Sequence, residues 1–114
     1  MNIPKINFKD LILSDYDTII DVRSPSEYDL DHISGAINLP VLSDKERSLV
    51  GTTYKQVSKF KARKIGATFI TKNTAKHLKT ELLSKNREWR PLIYCWRGGQ
   101  RSSAFSIILS EIGW

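Results

Sequence analysis

One sulfur atom in this sequence has the surroundings for covalent chemistry. Cys95 is the only cysteine among 114 residues, so an intramolecular disulfide and a cysteine-only metal site are both excluded. It ends the apolar run Pro91-Leu92-Ile93-Tyr94 and precedes Trp96, Arg97, Gly98, Gly99, Gln100, Arg101 and Ser102. The pattern is a strand, a cysteine, a glycine-containing loop and a helix. In open α/β sheets ligands bind beyond the carboxyl ends of the strands, where Cys95 falls. Two consecutive glycines allow a sharp bend in which successive backbone N–H groups converge into an anion-binding nest. The following helix directs its positive end to the same point, and Arg97 and Arg101 add formal charge. Such surroundings favour a thiolate, and a thiolate in an anion cradle is a nucleophile toward an anionic donor. A cysteine at a strand end can also serve as a small buried hydrophobe. The polar, glycine-rich flank is a poor core sequence and favours the chemical reading.

The charge distribution suggests a partner. Residues 1–44 hold 3 basic and 8 acidic side chains, whereas residues 45–101 hold 15 basic and 3 acidic, within an overall formal charge of +6. Nine basic residues and no acidic one lie between Arg47 and Lys79. A surface this uneven projects a positive field on one side and suits a polyanion. Lys55, Lys59, Lys61, Arg63 and Lys64 are the candidates for RNA contact. The alternative role for such a run is a solvated helix face.

The elements that must position these groups follow from periodicity and punctuation. Thr18, Ile19, Ile20 and Val22 predict a buried strand. Ser24-Pro25-Ser26-Glu27 is a capping box that opens a short helix running to about Leu30. Ala36–Leu39 predicts a second strand, stopped by Pro40. Ser43-Asp44-Lys45-Glu46 caps a further helix, which Gly51 is expected to close. Helices are then predicted over about Thr53–Lys64 and Ala67–Lys85, the second with Leu78, Leu82 and Leu83 on one face. Pro91–Cys95 is the third strand. A helix over Arg101–Ile112 follows, with Gly113 past its end and Ala104, Ile107, Ile108 and Ile112 as its apolar stripe. Strands alternating with helices predict one α/β domain spanning residues 1–114, with a mainly parallel central sheet flanked by helices. No repeat or linker is visible, and no stretch approaches the ~18 apolar residues of a membrane span. The N-terminus lacks a secretory apolar core, so a cytoplasmic location is expected. The sequence stops just after a helix, where another strand is expected, which suggests truncation at the C-terminus.

These residues resemble a family. Asp21-Val22-Arg23, Glu27-Tyr28 and His32-Ile33-Ser34-Gly35-Ala36-Ile37-Asn38-Leu39-Pro40 look like the N-terminal motif of rhodanese domains, and Cys95–Ser102 takes the place of their active-site loop. The loop Cys95–Ser102, together with the segment Val50-Gly51-Thr52-Thr53-Tyr54-Lys55-Gln56, is similar to one branch, the rhodanese domain of tRNA 2-selenouridine synthase. The match covers residues 18–113. The resemblance implies a rhodanese-like fold and a catalytic Cys95 that carries sulfur or selenium. It also implies a tRNA whose wobble 2-thiouridine exchanges sulfur for selenium through a geranylated intermediate, and selenophosphate as co-substrate. No cofactor bound in this domain is implied. The partner it implies is a P-loop nucleotide-binding domain of the same full-length protein. No Gly-x-x-x-x-Gly-Lys-Ser/Thr occurs in this chain, so that half is absent from it, and activity of the isolated domain on tRNA is not expected.

Five residues separate Cys95 from Arg101, one more than in most single-domain sulfurtransferases of the fold. That spacing also resembles rhodanese-fold cysteine phosphatases, in which the cysteine attacks phosphorus and the arginine grips phosphate oxygens. A third alternative is a non-catalytic module that only binds RNA or a partner. Asp21 and Arg23 are expected to form a structural ion pair, and Glu27 to cap a helix. His32 is expected to stabilise a turn, and His77 to lie on a solvated helix face. Tyr54, Lys55 and Gln56 could contact RNA or another domain, and Tyr54 could equally pack. Trp89 and Trp114 are expected to pack, and Trp96 either roofs the pocket, stacks on a base or simply fills space beside the loop.

Overall fold

The computed structural model describes residues 12–95 and 99–114. Three parallel strands form the sheet: β1 (Thr18–Asp21), β2 (Ile37–Asn38) and β3 (Pro91–Tyr94), in the order β2-β1-β3. β1 is central. Ile20 pairs with Ile37 on one side and with Ile93 on the other. A central strand is covered on both faces, which is why its sequence is a continuous β-branched run rather than an alternation.

Among the described residues, four α-helices flank the sheet: α1 (Pro25–Leu30), α2 (Asp44–Gln56), α3 (Lys59–His77) and α4 (Gln100–Ile112). Their N-termini are set by local chemistry. At α1 the backbone N–H and the hydroxyl of Ser24 both donate to Glu27 Oε1, at 3.1 and 2.9 Å. At α2 Ser43 N–H donates to Glu46 Oε1 at 2.8 Å and Glu46 N–H donates to Ser43 Oγ at 3.1 Å, a complete capping box. Ser58 caps α3 by accepting from Lys61 N–H at 3.0 Å. A wider π-helical turn, Leu78–Leu82, continues α3. None of the described helices is long and apolar enough to cross a membrane.

The middle of the chain departs from the sequence reading in three places. First, Gly51 does not close α2, which runs through it to Gln56; the break falls at Val57-Ser58. The interior glycine costs about 1 kcal/mol relative to alanine, and packing of α2 along α3 outweighs it. Second, the predicted gap between Lys64 and Ala67 lies inside α3. Gly66 is buried there because α2 comes close: a side chain at this position would meet Val50 at 3.7 Å. Third, two apolar faces are placed differently. Leu82 is buried but Leu83 is 78% exposed, because successive residues of a helical turn point roughly 100° apart and only one of the two can face the core. On α4 the buried residues are Phe105 and Leu109, whereas Ile107 and Ile112 of the predicted stripe are about half exposed.

The core joins these elements. Ile20 from β1 and Val22 just beyond it meet Leu39, Val41, Leu82, Trp89, Phe105 and Leu109. Each such burial contributes on the order of 1.5–3 kcal/mol. Trp89 and Trp114 pack edge to face at 5.0 Å, and the Trp89 indole N–H donates to Thr18 Oγ1 at 2.8 Å. Both tryptophans therefore pack, as the sequence suggests. His77 departs from expectation. It sits half-buried, and its Nε2 lies 2.7 Å from the Pro40 carbonyl. A carbonyl only accepts, so Nε2 carries the proton and ties α3 to the segment after β2.

Candidate functional site

Cys95 directly follows β3, at the carboxyl edge of the sheet. Its side chain is half-buried and packs against the core at one side. The thiol donates to Ser102 Oγ at 3.3 Å, and the Ser102 hydroxyl donates to the Gly99 carbonyl at 3.1 Å. Ser102 lies in the first turn of α4, so the sulfur is at the positive end of a 13-residue helix. Gly99 immediately precedes that helix with φ +68°, a left-handed conformation that favours glycine. A serine hydroxyl both accepts and donates, so it can receive the thiol proton's hydrogen bond or, by rotating, donate to a thiolate.

Of the sequence-predicted loop, Cys95, Gly99, Arg101 and Ser102 are brought together at the start of α4, and Gln100 is exposed there. Trp96, Arg97 and Gly98 lie outside the described residues, and with them the central amides of the expected nest.

Arg101 makes a contact that its sequence position does not announce. Its guanidinium donates to both oxygens of Glu27, at 2.7 and 3.3 Å, with both side chains largely buried. Glu27 also accepts from Ser24 and lies 3.4 Å from Arg47 Nε. Burial works to raise its pKa, but the bonds from Arg101 and Ser24 hold the carboxyl down at about 2. Glu27 thus does more than cap α1: it locks the first turn of α4 onto α1. The pair is separated by 74 positions, so no local pattern could reveal it.

A second buried ion pair supports the same edge. Arg23 Nη2 donates to Asp21 Oδ2 at 2.8 Å and Arg23 Nε lies 3.1 Å from both Asp21 oxygens. Both residues are essentially inaccessible, and Arg23 also reaches Asp31 at 3.2 Å. The bonds to Asp21 hold the guanidinium charged against the cost of burial. Arg23 lies over the ring of Tyr94, the residue before Cys95, at 5.7 Å. The Tyr94 hydroxyl accepts from Ile33 N–H at 3.0 Å, and burial raises its pKa. The expected ion pair is therefore present, and it props the strand end that carries the cysteine. His32 stacks on Tyr28 at 3.7 Å and its Nδ1 donates to the Tyr28 carbonyl at 2.7 Å, as a turn-stabilising residue would.

The candidates for RNA contact occupy a different region, the hairpin formed by α2 and α3. Lys55 is near the end of α2, and Lys59, Lys61, Arg63 and Lys64 fill the first two turns of α3. All five are exposed, and among the described residues none pairs with a carboxylate. Among the described residues no cluster of histidine, cysteine, aspartate and glutamate is arranged to hold a metal ion.

A sheet-edge cysteine ahead of a helix N-terminus, on a β2-β1-β3 parallel sheet, is the arrangement the sequence resemblance implied. The family model described as "Rhodanese-like domain" matches residues 7–114. The chain belongs to the rhodanese-like domain family. Within it, this rhodanese-like domain matches the N-terminal region of tRNA 2-selenouridine synthases. It is 39% identical to the "tRNA 2-selenouridine synthase" of Nitrosomonas europaea, over 83% of this chain and 25% of that protein. Against the protein of the same name from Nitrosomonas eutropha it is 39% identical over 99% of this chain and 30% of that one. Against that from Shewanella denitrificans it is 37% identical over 97% and 30%. The chain thus spans between a quarter and a third of the length of these relatives. Among solved structures it is similar to the "N-terminal domain of putative ATP/GTP binding protein" from Clostridium difficile 630. The two share 35% identity and a TM-score of 0.70, over 84% of this chain and 74% of that one.

Proposed function

We propose that this rhodanese-like domain carries sulfur or selenium on Cys95 and serves an enzyme that replaces sulfur by selenium in the wobble 2-thiouridine of tRNA. The observation that carries the reading is the placement of Cys95. It is the lone cysteine of the chain, it stands at the carboxyl edge of a parallel sheet, and its sulfur bonds a hydroxyl in the first turn of α4. The identity to tRNA 2-selenouridine synthases supports the choice of cargo and of tRNA. Selenophosphate is the co-substrate proposed from that likeness, and a P-loop nucleotide-binding domain of the full-length protein is the proposed partner.

In mechanism, the Cys95 thiolate attacks the outer chalcogen of an anionic donor. With thiosulfate the new bond joins Cys95 Sγ to the outer sulfur. The sulfur–sulfur bond of the donor breaks, and sulfite leaves with its electron pair. The positive end of α4 and the Ser102 hydroxyl stabilise the negative sulfur before and after transfer. The weak outer bond then lets a second nucleophile take the terminal atom. Arg97, Gly98 and Trp96 are proposed to complete the cradle.

The phosphatase alternative needs Arg101 as the clamp for phosphate. The bidentate hold of Glu27 on that guanidinium, 2.7 and 3.3 Å, weighs against it. The decisive experiment is intact-mass measurement after incubation with thiosulfate or a selenium donor. The proposal expects the mass to rise by one chalcogen atom in the wild type and to stay unchanged in Cys95→Ser. A wild-type chain left unmodified under donor excess, while iodoacetamide still alkylates Cys95, would overturn it. If Cys95→Ser retained full activity in the complete enzyme, the domain would be a binding module only.

A further inference from the structure

We propose that the tip of the α2–α3 hairpin is a stacking platform for unpaired bases of RNA, with Tyr54 and Phe60 as the stacking rings. The inference rests on the reading of tRNA as substrate and names the part of this domain that would hold it. Three large apolar side chains cluster within seven residues around the turn and remain open to solvent: Tyr54 is 47%, Val57 63% and Phe60 67% exposed. Side chains of this kind are normally covered in a folded domain. Packing does not require them here, since α2 and α3 already bury Thr53, Ala62 and Gly66 between and beneath them.

The charges around the rings indicate what covers them. Lys59 Nζ lies over the Tyr54 ring at 5.6 Å and Lys64 Nζ over the Phe60 ring at 5.1 Å. Lys55, Lys61 and Arg63 flank them, in a stretch that holds no acidic residue from Arg47 to Lys79. An ammonium beside an aromatic ring is the pairing that single-stranded nucleic acid requires: the ring takes the face of a base and the ammonium takes the adjoining phosphate. A duplex hides its base faces and gains only the phosphate contacts, whereas an unpaired loop offers both. The combination of rings and lysines therefore selects loops over helices. Lysines alone would bind either, and an uncharged apolar patch would bind neither.

The test is fluorescence anisotropy of the 114-residue chain with a labelled single-stranded oligoadenylate and with an RNA duplex of the same length, at several salt concentrations. The platform requires tighter binding of the single strand. Phe60→Ala and Tyr54→Ala should each weaken single-strand binding about tenfold or more, leave duplex binding nearly unchanged and leave the salt dependence intact. The triple reversal Lys59→Glu, Lys61→Glu, Lys64→Glu should abolish binding of both RNAs. If the aromatic variants bind the single strand like the wild type while the charge reversal abolishes binding, the platform is wrong but the tRNA reading survives. If no form binds RNA, both fall. Phe60→Leu separates stacking from packing: it should fail like Phe60→Ala, and full binding by it would overturn the proposal. Competition with oligoglutamate as strong as that with RNA, and equally sensitive to Phe60→Ala, would overturn it in favour of an acidic protein partner.

Discussion

At the residue scale the site depends on two short chains of polar contacts, Cys95–Ser102–Gly99 and Arg101–Glu27–Ser24. On the proposed function, the first tunes the reactivity of the sulfur. Removing the hydroxyl in Ser102→Ala deletes one charge-assisted hydrogen bond, so the rate of Cys95 persulfidation at neutral pH should fall by about tenfold. Ser102→Thr should restore most of it, because it keeps the hydroxyl; single-turnover mass spectrometry reads both. The second chain makes stability depend on pH. Glu27 ionises at about 2 in the folded protein against an ordinary 4.5, so between those values the unfolded chain binds more protons. Its contribution is complete above pH ~4.5 and is lost as the pH falls toward ~2. Glu46, held at about 2 against burial by Lys72, Ser43 and Asn73, acts in the same direction. Its lysine partner is 63% exposed, so solvent screening makes its share smaller. Glu27→Gln leaves the Arg101 charge unpaired. It should cost about 1–3 kcal/mol at pH 7 and flatten the acid limb in urea titrations over a pH series.

At the scale of elements the two central helices show how packing overrides local punctuation. A glycine four residues after a run of helix formers reads as a stop, yet α2 passes through Gly51, where a side chain would find nothing within 4 Å. Gly51→Ala should therefore stabilise the domain by about 0.5–1 kcal/mol, measured as a higher thermal midpoint. Had Gly51 ended the helix in a left-handed conformation, the same change would destabilise it. The real boundary, Ser58, falls inside the predicted Thr53–Lys64 helix and was missed, because position 61 is a lysine and the serine lacks the acidic partner that completes a capping box. Capping boxes at Ser24 and Ser43 were legible because both halves of the signal lie within four residues. Each strand was legible for a related reason, since a short apolar run bounded by Pro, Gly or Ser is a local feature. The π-helical turn at Leu78–Leu82 was not, because it follows from fitting Leu82 into the core.

At the scale of the whole molecule, one core holds the sulfur-bearing edge and the basic hairpin in a fixed relation. Phe105 is fully buried between α4 and the sheet, so Phe105→Ala should cost about 3–5 kcal/mol in urea unfolding. It should also disturb the thiol site, because α4 carries Ser102 and Arg101 on the same rigid rod. The division of charge acts at this scale too. Asp21, Asp31 and Glu27 form the ion pairs at the ends of β1 and α1, whereas the basic run is spread over α2 and α3. If the proposed tRNA reading holds, affinity for tRNA should fall steeply with salt, and the slope of log K against log salt should shrink by about one for each phosphate-contacting lysine removed.

The parallel α/β sheet, the capping serines Ser24 and Ser43, the family, and the cysteine at the end of the third strand could all be read from the sequence alone. Each is written in neighbouring residues, or in a motif whose parts keep their order along the chain. The tertiary structure decided which arginine meets which carboxylate, that His77 reaches the Pro40 carbonyl, and that Phe105 and Leu109 rather than Ile107 and Ile112 face the core. It also left Tyr54 and Phe60 uncovered among lysines. Those outcomes depend on contacts between positions tens of residues apart, and such contacts are set by how rigid elements pack together rather than by the preferences of any one segment.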